Sequence, residues 1–296
     1  MVRLFKWFMV VMSGLLVVWW LNVPFLDSPK DTAPIIVTST PILADLTQQL
    51  VGPDVHVISL TERVSDPSKQ QITKQKLEKI KEASLVIVNG SQIEKGMVDL
   101  KPYLSEKAHL INVGNIMTKY DKGWQSYYWM SPVSWNKLVH YIQMQFKRVF
   151  PDRRSEINYR KMAYTNDIYT LHQTLKKTMD EVRQKNKVIS SNHESFAPFA
   201  KAFGFEFVTL NLTDNMDEET LSKMVDTLKK RNVKVFYPNE ALPQVGIDDL
   251  VKTALAQGWQ LRIGKPVISL NLDMEGSGVS SYIEMMTFNL RALSDS

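Results

Sequence analysis

The chain has 296 residues, 44% of them hydrophobic and 23% charged, and its formal net charge is +5. This length is enough for one large core or two ordinary ones. The modest positive charge is scattered along helical stretches and forms no basic stripe with interleaved aromatics, which argues against nucleic-acid binding. Because the chain has no cysteine, disulfides, thiolate metal sites, a cysteine nucleophile and a lipidated N-terminal cysteine are excluded.

The N-terminus carries the features of a secretory signal. Arg3 and Lys6 precede an apolar run over residues 7–21. No small-x-small cleavage site follows, and with residues 23–26 the run approaches the roughly 20 residues that a spanning helix needs. We therefore predict a signal anchor over residues 1–31, which tethers the protein to the membrane with the rest facing the periplasm or cell exterior. A cleaved signal peptide, leaving the protein secreted to the periplasm, is the alternative.

Strand-like and helix-like segments alternate after this N-terminal segment. The alternation predicts a mainly parallel sheet flanked by helices, in an N-terminal α/β lobe over residues 32–150. Ser131-Pro132 begins the last helix of this lobe, because serine is a favoured N-cap and proline fits a first turn. The predicted strands are 35–38, 55–60, 85–88 and 109–113, and the predicted helices are 41–50, 73–83 and 131–150.

Residues 151–186 form the longest predicted element. The stretch has no glycine, no proline after its first residue, and apolar residues at steps of three, four or seven. As one helix it would be roughly 54 Å long, too long for a small domain, so we expect it to join two lobes. The alternation then restarts and predicts a C-terminal α/β lobe over residues 187–296. Its predicted strands are 188–190, 205–210, 233–237 and 267–272, and its helices are 195–203, 218–231, 247–259 and 280–293.

The sequence gives no indication of an enzyme. Ser195 lies near His193, but a catalytic triad needs three groups in mutual geometry. The chain also has no Gly-x-Ser-x-Gly elbow, no phosphate-binding loop and no Gly-x-Gly-x-x-Gly motif. We therefore expect no catalytic site.

Five segments follow one another in an order that resembles one protein family. With the long helix, they resemble the TroA-like, zinc/manganese-type periplasmic solute-binding proteins of metal ABC transporters. The resemblance implies a monomer whose two α/β lobes bind zinc or manganese and deliver it to an ABC permease in the membrane. The segments are VTSTPILADLTQQLVG (37–52), SDPSKQQITKQKLEKIKEASLVIVNG (65–90), YYWMSP (127–132), SSNHESFAPFAKAFGFEFV (190–208) and LDMEGSGVSSYIEMMTFNL (272–290).

The same resemblance implies a metal site between the lobes, and in this chain that site is incomplete. The family takes two histidines from the first lobe, and a histidine or glutamate and an aspartate from the second. His193 and Asp273 match the second-lobe positions and are the expected metal ligands. Ser68 and Tyr127 replace the two first-lobe histidines and are expected to line the cleft. The histidine-rich loop of many zinc members is absent, since the loop expected at residues 115–124 is short and contains no histidine.

Coordination chemistry sets the consequence of these replacements. A four-coordinate zinc ion takes about four N, O or S donors, whereas a serine hydroxyl is a poor ligand and tyrosine binds well only as phenolate, which its ordinary pKa of about 10 opposes. Both remaining ligands lie on one lobe, so a metal would no longer bridge the cleft. Glu194 and Glu240 are candidate substitute ligands, with solvated or capping roles as the alternative. We expect zinc or manganese to be weakly bound or absent.

Two functions remain open from the sequence. The first is an extracytoplasmic solute-binding component of a metal ABC importer with an altered site. The second is a metal-free interaction or small-ligand-binding protein that keeps the fold, in which residues 127–129 line a pocket for an organic ligand or pack between the lobes. In that second case His193 would be a neutral histidine satisfied within its loop, and Asp273 would cap a turn.

Overall fold

Two four-stranded parallel sheets form the framework of the protein. The computed structural model describes residues 34–62, 65–90, 93–94, 100–120, 126–273 and 278–295. The strands of the first sheet are β1 (Ile35–Thr38), β2 (His56–Ser59), β3 (Leu85–Val88) and β4 (His109–Asn112). They lie in the order β2-β1-β3-β4, and every neighbouring pair is parallel. All four side chains of β3 are buried, as expected for an inner strand covered on both faces.

The second sheet repeats this arrangement in the C-terminal lobe. Its strands are numbered β5 to β8 in chain order. Across the sheet they lie in the order β6-β5-β7-β8, and again every neighbouring pair is parallel. The two inner strands are buried throughout, so the predicted α/β fold with one parallel sheet in each lobe is confirmed. The strands are β5 (Val188–Ser191), β6 (Glu206–Thr209), β7 (Val235–Tyr237) and β8 (Arg262–Ile263).

The helices of the first lobe begin at the residues that local chemistry favours. Ser131 caps a helix through its side chain, which accepts from the Ser134 backbone N–H, and Pro132 occupies the first turn. Thr73 caps another in the same way, accepting from the Lys76 N–H. These helices are α1 (Pro41–Val51), α2 (Lys74–Glu82), α3 (Val113–Tyr120) and α4 (Pro132–Val149).

A single long helix joins the two lobes, as predicted. Helix α5 (Arg154–Lys185) has 32 residues and is therefore about 48 Å long at 1.5 Å per residue. Its buried side chains run from Ile157 to Met179, so its packed face extends over most of its length. It packs against α1 and α4 of the first lobe and against the C-terminal helix of the chain.

The second lobe adds four described helices, of which the last ties the chain end back to the first lobe. That last helix begins with a capping box formed by Ser281 and Glu284. The backbone N–H of Tyr282, in its first turn, donates to Asp45 of α1 at 2.9 Å. The helices are α6 (Ala197–Ala202), α7 (Glu218–Lys230), α8 (Ile247–Ala256) and α9 (Tyr282–Ser294).

The strand predicted at residues 267–272 is wrong. This stretch forms only an isolated bridge between Asn239 and Val267, and the edge strand of the second sheet is instead the two-residue β8. The reason is that Asn289 of α9 takes the place of a neighbouring strand. Its side chain accepts from the Ile268 N–H at 2.8 Å and donates to the Ile268 carbonyl at 2.7 Å.

Two further expectations about the chain have different outcomes. The prediction of a loop at residues 115–124 is wrong for its first half, because α3 continues to Tyr120. The predicted anchor at residues 1–31 lies outside the described residues, and among the residues that are described no helix is long and apolar enough to cross a membrane. Pro34–Ser296 form one compact unit by internal contacts, and the predicted boundaries at residues 150 and 187 stay a prediction.

Candidate functional site

The loop after β2 carries Ser68, one of the two residues expected to replace a family histidine. Asp66 is buried, and its carboxylate accepts from the Ser68 backbone N–H at 2.9 Å. This bond caps a short 3-10 turn over Pro67–Lys69. The half-buried Ser68 is therefore held in a well-defined turn.

Tyr127 has an unusual backbone conformation at the start of the short turn that leads into α4. Its φ of 58° lies in the left-handed region, which is uncommon for an aromatic residue and is typical of functional or strained positions. Its ring meets the rings of Trp129 and His193 edge-on, each at a centroid distance of 5.6 Å. The structure thus brings together two of the predicted site residues, one from each lobe.

The environment of Tyr127 works against metal binding by its phenol. Burial raises the pKa of Tyr127 to about 12, with help from the negative charges of Asp66 and Glu194. A phenolate would be needed for strong coordination, and the raised pKa leaves the group protonated at neutral pH. At neutral pH Tyr127 is therefore a hydrogen-bond donor rather than a phenolate.

His193 is committed to a backbone hydrogen bond. It follows β5 and caps a 3-10 turn, with its Nδ1 accepting from the Ser195 N–H at 3.1 Å. A neutral imidazole has one protonated and one acceptor nitrogen, so this bond assigns the proton to Nε2. Burial lowers the pKa of His193, which favours that neutral form, although Asp66 and Glu194 oppose the shift. In this state Nε2 is a donor rather than a metal ligand.

The other predicted site residues are two glutamates and one aspartate of the second lobe. Glu194 and Glu240 are exposed, and Glu194 acts on His193 and Tyr127 through its charge. Asp273 is half-buried, and its backbone N–H donates to Val279 at 3.2 Å. Among the described residues, no group of three or more histidine, aspartate or glutamate side chains is placed to hold a metal ion.

A buried polar network below Tyr127 was missed by the sequence analysis. The fully buried Glu94 accepts from the side chain of Asn89 at 2.6 Å and from its backbone N–H at 3.1 Å. Asn89 in turn accepts from the Tyr128 hydroxyl at 2.6 Å. Burial raises the pKa of Glu94, against the lowering effect of its hydrogen bonds. Because Tyr128 is adjacent to Tyr127, the hydrogen bond from Tyr128 to Asn89 helps to hold the turn that carries Tyr127.

The second lobe supplies a matching network at the carboxyl ends of β5 and β7. The Asn239 side chain donates to the Ser269 hydroxyl at 2.6 Å, and that hydroxyl also bonds Ser195 at 2.6 Å. The Ser269 carbonyl accepts from the indole N–H of Trp129 at 2.8 Å, which links the two lobes. The side chain of Asn271, near the same strand ends, donates to the Glu62 carbonyl at 3.3 Å.

Comparison with known proteins places the chain in a family. A sequence model described as the periplasmic zinc-uptake complex component A, ZnuA, matches residues 36–296. The chain belongs to the ZnuA family. The resemblance to metal-type solute-binding proteins is thereby confirmed, and members of this family are binding components of ABC importers, not enzymes.

Relatives cover most of the chain at low identity. The zinc-binding protein TroA of Treponema pallidum is 21% identical over 273 residues, covering 89% of each chain. The manganese-binding lipoprotein MntA of Bacillus subtilis is 22% identical over 268 residues, covering 87% of this chain and 88% of that one.

Solved structures confirm the fold. The periplasmic zinc-binding protein TroA from Treponema pallidum superposes with a TM-score of 0.80 at 19% identity, covering 89% of this chain and 98% of the other. A cadmium-bound periplasmic metal-binding protein from Candidatus Liberibacter asiaticus gives a TM-score of 0.75 at 17% identity, covering 88% and 98%.

Proposed function

We propose that this protein is the extracytoplasmic solute-binding component of a metal-type ABC importer. Family membership over residues 36–296 and the two-lobed fold support this role. Relatives are named as zinc- or manganese-binding proteins and as substrate-binding lipoproteins of ABC transporters. The protein would present its cleft to an ABC permease as a monomer, held at the membrane by residues 1–31 or free in the periplasm.

The cleft of this member binds zinc or manganese weakly or not at all, and one observation carries that inference. His193 uses Nδ1 to cap its own turn, so coordination through Nε2 requires the ring proton to move and the cap to break. In metal sites the second nitrogen of a ligating histidine ordinarily donates a hydrogen bond rather than accepting one. Neither the Ser68 hydroxyl nor the protonated Tyr127 phenol is a strong metal ligand that could compensate.

Calorimetric titration of the full chain in a non-ionic detergent tests this proposal. We expect zinc and manganese to bind with a dissociation constant in the micromolar range or weaker. The double substitution Ser68→His with Tyr127→His, which restores the family ligands, should tighten zinc binding by at least about 100-fold, because even outer-shell partners contribute 10–100-fold. Nanomolar binding by the unaltered chain that is lost in His193→Asn would refute the weak-site proposal and leave the importer role intact.

A second candidate is a metal-free binding or interaction protein with the same fold. The hydrogen bonds from Trp129 to Ser269 and from Asn271 to Glu62 favour it, because they join the lobes without a metal. A bound metal should raise the unfolding temperature, since 100-fold excess over the dissociation constant adds about 2.7 kcal/mol of stability. Unchanged unfolding temperatures in 1 mM chelator and in saturating zinc would favour the metal-free function, whereas a clear shift would favour metal transport.

A further inference from the structure

A cavity of about 780 Å³ lies at the edge of the second sheet opposite the candidate site. Its lining includes the first residue of every strand of that sheet: Val188, Glu206, Val235 and Arg262. In a parallel sheet the amino ends of all strands lie on the same side, whereas His193 follows the carboxyl end of β5 on the other side. The cavity is therefore separate from the cleft. Its volume falls within the roughly 300–1,000 Å³ typical of small-molecule sites.

The cavity is strongly positive. Among the residues that the structure describes, Arg231 pairs with Glu206 at 2.9 Å, and the Lys234 ammonium lies 3.4 Å from the centre of the Trp259 ring. The other four basic side chains have no carboxylate partner within the described parts of the chain. The cavity lining contains six basic residues and two acidic ones, Glu181 and Glu206. The basic residues are Lys185, Lys187, Lys230, Arg231, Lys234 and Arg262.

Helix ends explain only part of this charge. Helices α5, α7 and α9 end at the cavity, the first two with Lys185 and Lys230, and cations are favoured at such carbonyl ends. Each of the three ends contributes about half a negative charge, so together they offset roughly one and a half of the four excess positive charges. Arg262 begins β8 and belongs to no helix end, whereas Lys187 follows Asn186, the C-cap residue of α5. A positive excess inside a concave space attracts anions.

The geometry of Lys187 and Arg262 suits one shared anion. Strand β7 lies between β5 and β8, and Lys187 lies two residues before the β5 position that is level with Arg262, so the two backbones are on the order of 12 Å apart. Two long side chains can therefore reach a common group from both sides. Arginine matches phosphate oxygens with two parallel N–H donors, and lysine supplies a point charge. Apolar walls from Val182 and Leu293 remain for an organic body.

We propose that this cavity binds a phosphate ester, with its phosphate between Lys187 and Arg262 and its organic part against Val182 and Leu293. The site is independent of metal binding in the cleft. The same phosphate chemistry occurs in soluble esters and in the headgroups of anionic lipids, and the cavity is a small-molecule site for either.

The test titrates the full chain, in a non-ionic detergent, with two probes and follows binding by calorimetry. The first probe is soluble glycerol 3-phosphate, and the second is phosphatidylglycerol in mixed micelles, with phosphatidylcholine micelles as the baseline. The cavity variant is Lys187→Gln with Arg262→Gln. The control variant, Lys107→Gln with Arg148→Gln, removes the same charges from exposed positions of the first lobe.

We expect saturable binding that weakens at least about tenfold in the cavity variant, since charge-assisted bonds are the strong ones, and that persists in the control variant. Binding of the soluble ester supports the site with a free phosphate ester as its ligand. Binding of phosphatidylglycerol alone, with the same dependence on the variants, supports the site with a lipid headgroup as its ligand. No saturable binding of either probe, or equal weakening in the control variant, would overturn the proposal.

Discussion

The hydrogen bond at His193 makes a prediction that separates its capping role from any role as a ligand. His193→Ala removes the cap, worth about 1 kcal/mol, and the edge-on contact with Tyr127 at 5.6 Å, worth about 1 kcal/mol. His193→Asn loses the ring contact but keeps a capping oxygen, because asparagine is among the best N-caps. We therefore expect the alanine variant to lose about 2 kcal/mol of unfolding free energy and the asparagine variant about 1 kcal/mol.

The assay is thermal unfolding of the full chain followed by circular dichroism, with chelator present so that no metal contributes. At roughly 2–4 °C per kcal/mol for a domain of this size, the two variants should differ by a few degrees. His140→Ala, at an exposed position of α4, is the matched control and should stay within about 0.5 kcal/mol of the unaltered chain. Equal destabilisation by alanine and asparagine at residue 193, or an NMR spectrum with the imidazole proton on Nδ1, would refute the capping argument.

Three further predictions concern the buried networks. Glu94→Gln should cost about 1–3 kcal/mol of stability, because its amide N–H groups would face the donors of Asn89; no loss in thermal unfolding would contradict this. Burial raises the pKa of Glu94 above its ordinary value of 4.5, so the folded state holds this proton more tightly than the unfolded state. Stability should therefore fall as pH rises from 4.5 through the folded pKa, and melting curves across pH should show a shallower fall for Glu94→Gln. Trp129→Phe removes the donor to Ser269 and should cost about 1–3 kcal/mol, with Tyr159→Phe on the exposed face of α5 as a neutral control.

The long helix and the parallel sheets could be predicted because they depend on local pattern. Residues 154–185 hold no helix breaker and repeat apolar residues on one face, so propensity and periodicity agree. The stretch at residues 267–272 also has a strand-like pattern, but Asn289, 21 positions after Ile268, supplies the hydrogen bonds that a neighbouring strand would give. No local rule contains that partner.

Some features of the candidate site could likewise be predicted from the sequence, and others could not. The resemblance placed Tyr127 and His193 on facing loops, and their rings do meet. The orientation of the His193 ring depends on which nitrogen faces the Ser195 N–H, which only the folded turn decides. Glu94 lies in a polar stretch that reads as a surface loop, and only tertiary contacts reveal that it is fully buried. The protonation of these side chains therefore depends on contacts that residue type and spacing do not give.

The hydrogen bonds between the lobes are compatible with the weak metal site that we propose. Trp129 bonds Ser269, Asn271 bonds Glu62, and the Tyr282 N–H bonds Asp45, so three hydrogen bonds join the lobes. At about 1 kcal/mol each, they stabilise the contact between the lobes by roughly 3 kcal/mol, or about 100-fold. A ligand can shift a conformational equilibrium only by its difference in affinity for the two states. A ligand that strengthens none of these contacts would therefore leave the arrangement of the lobes unchanged.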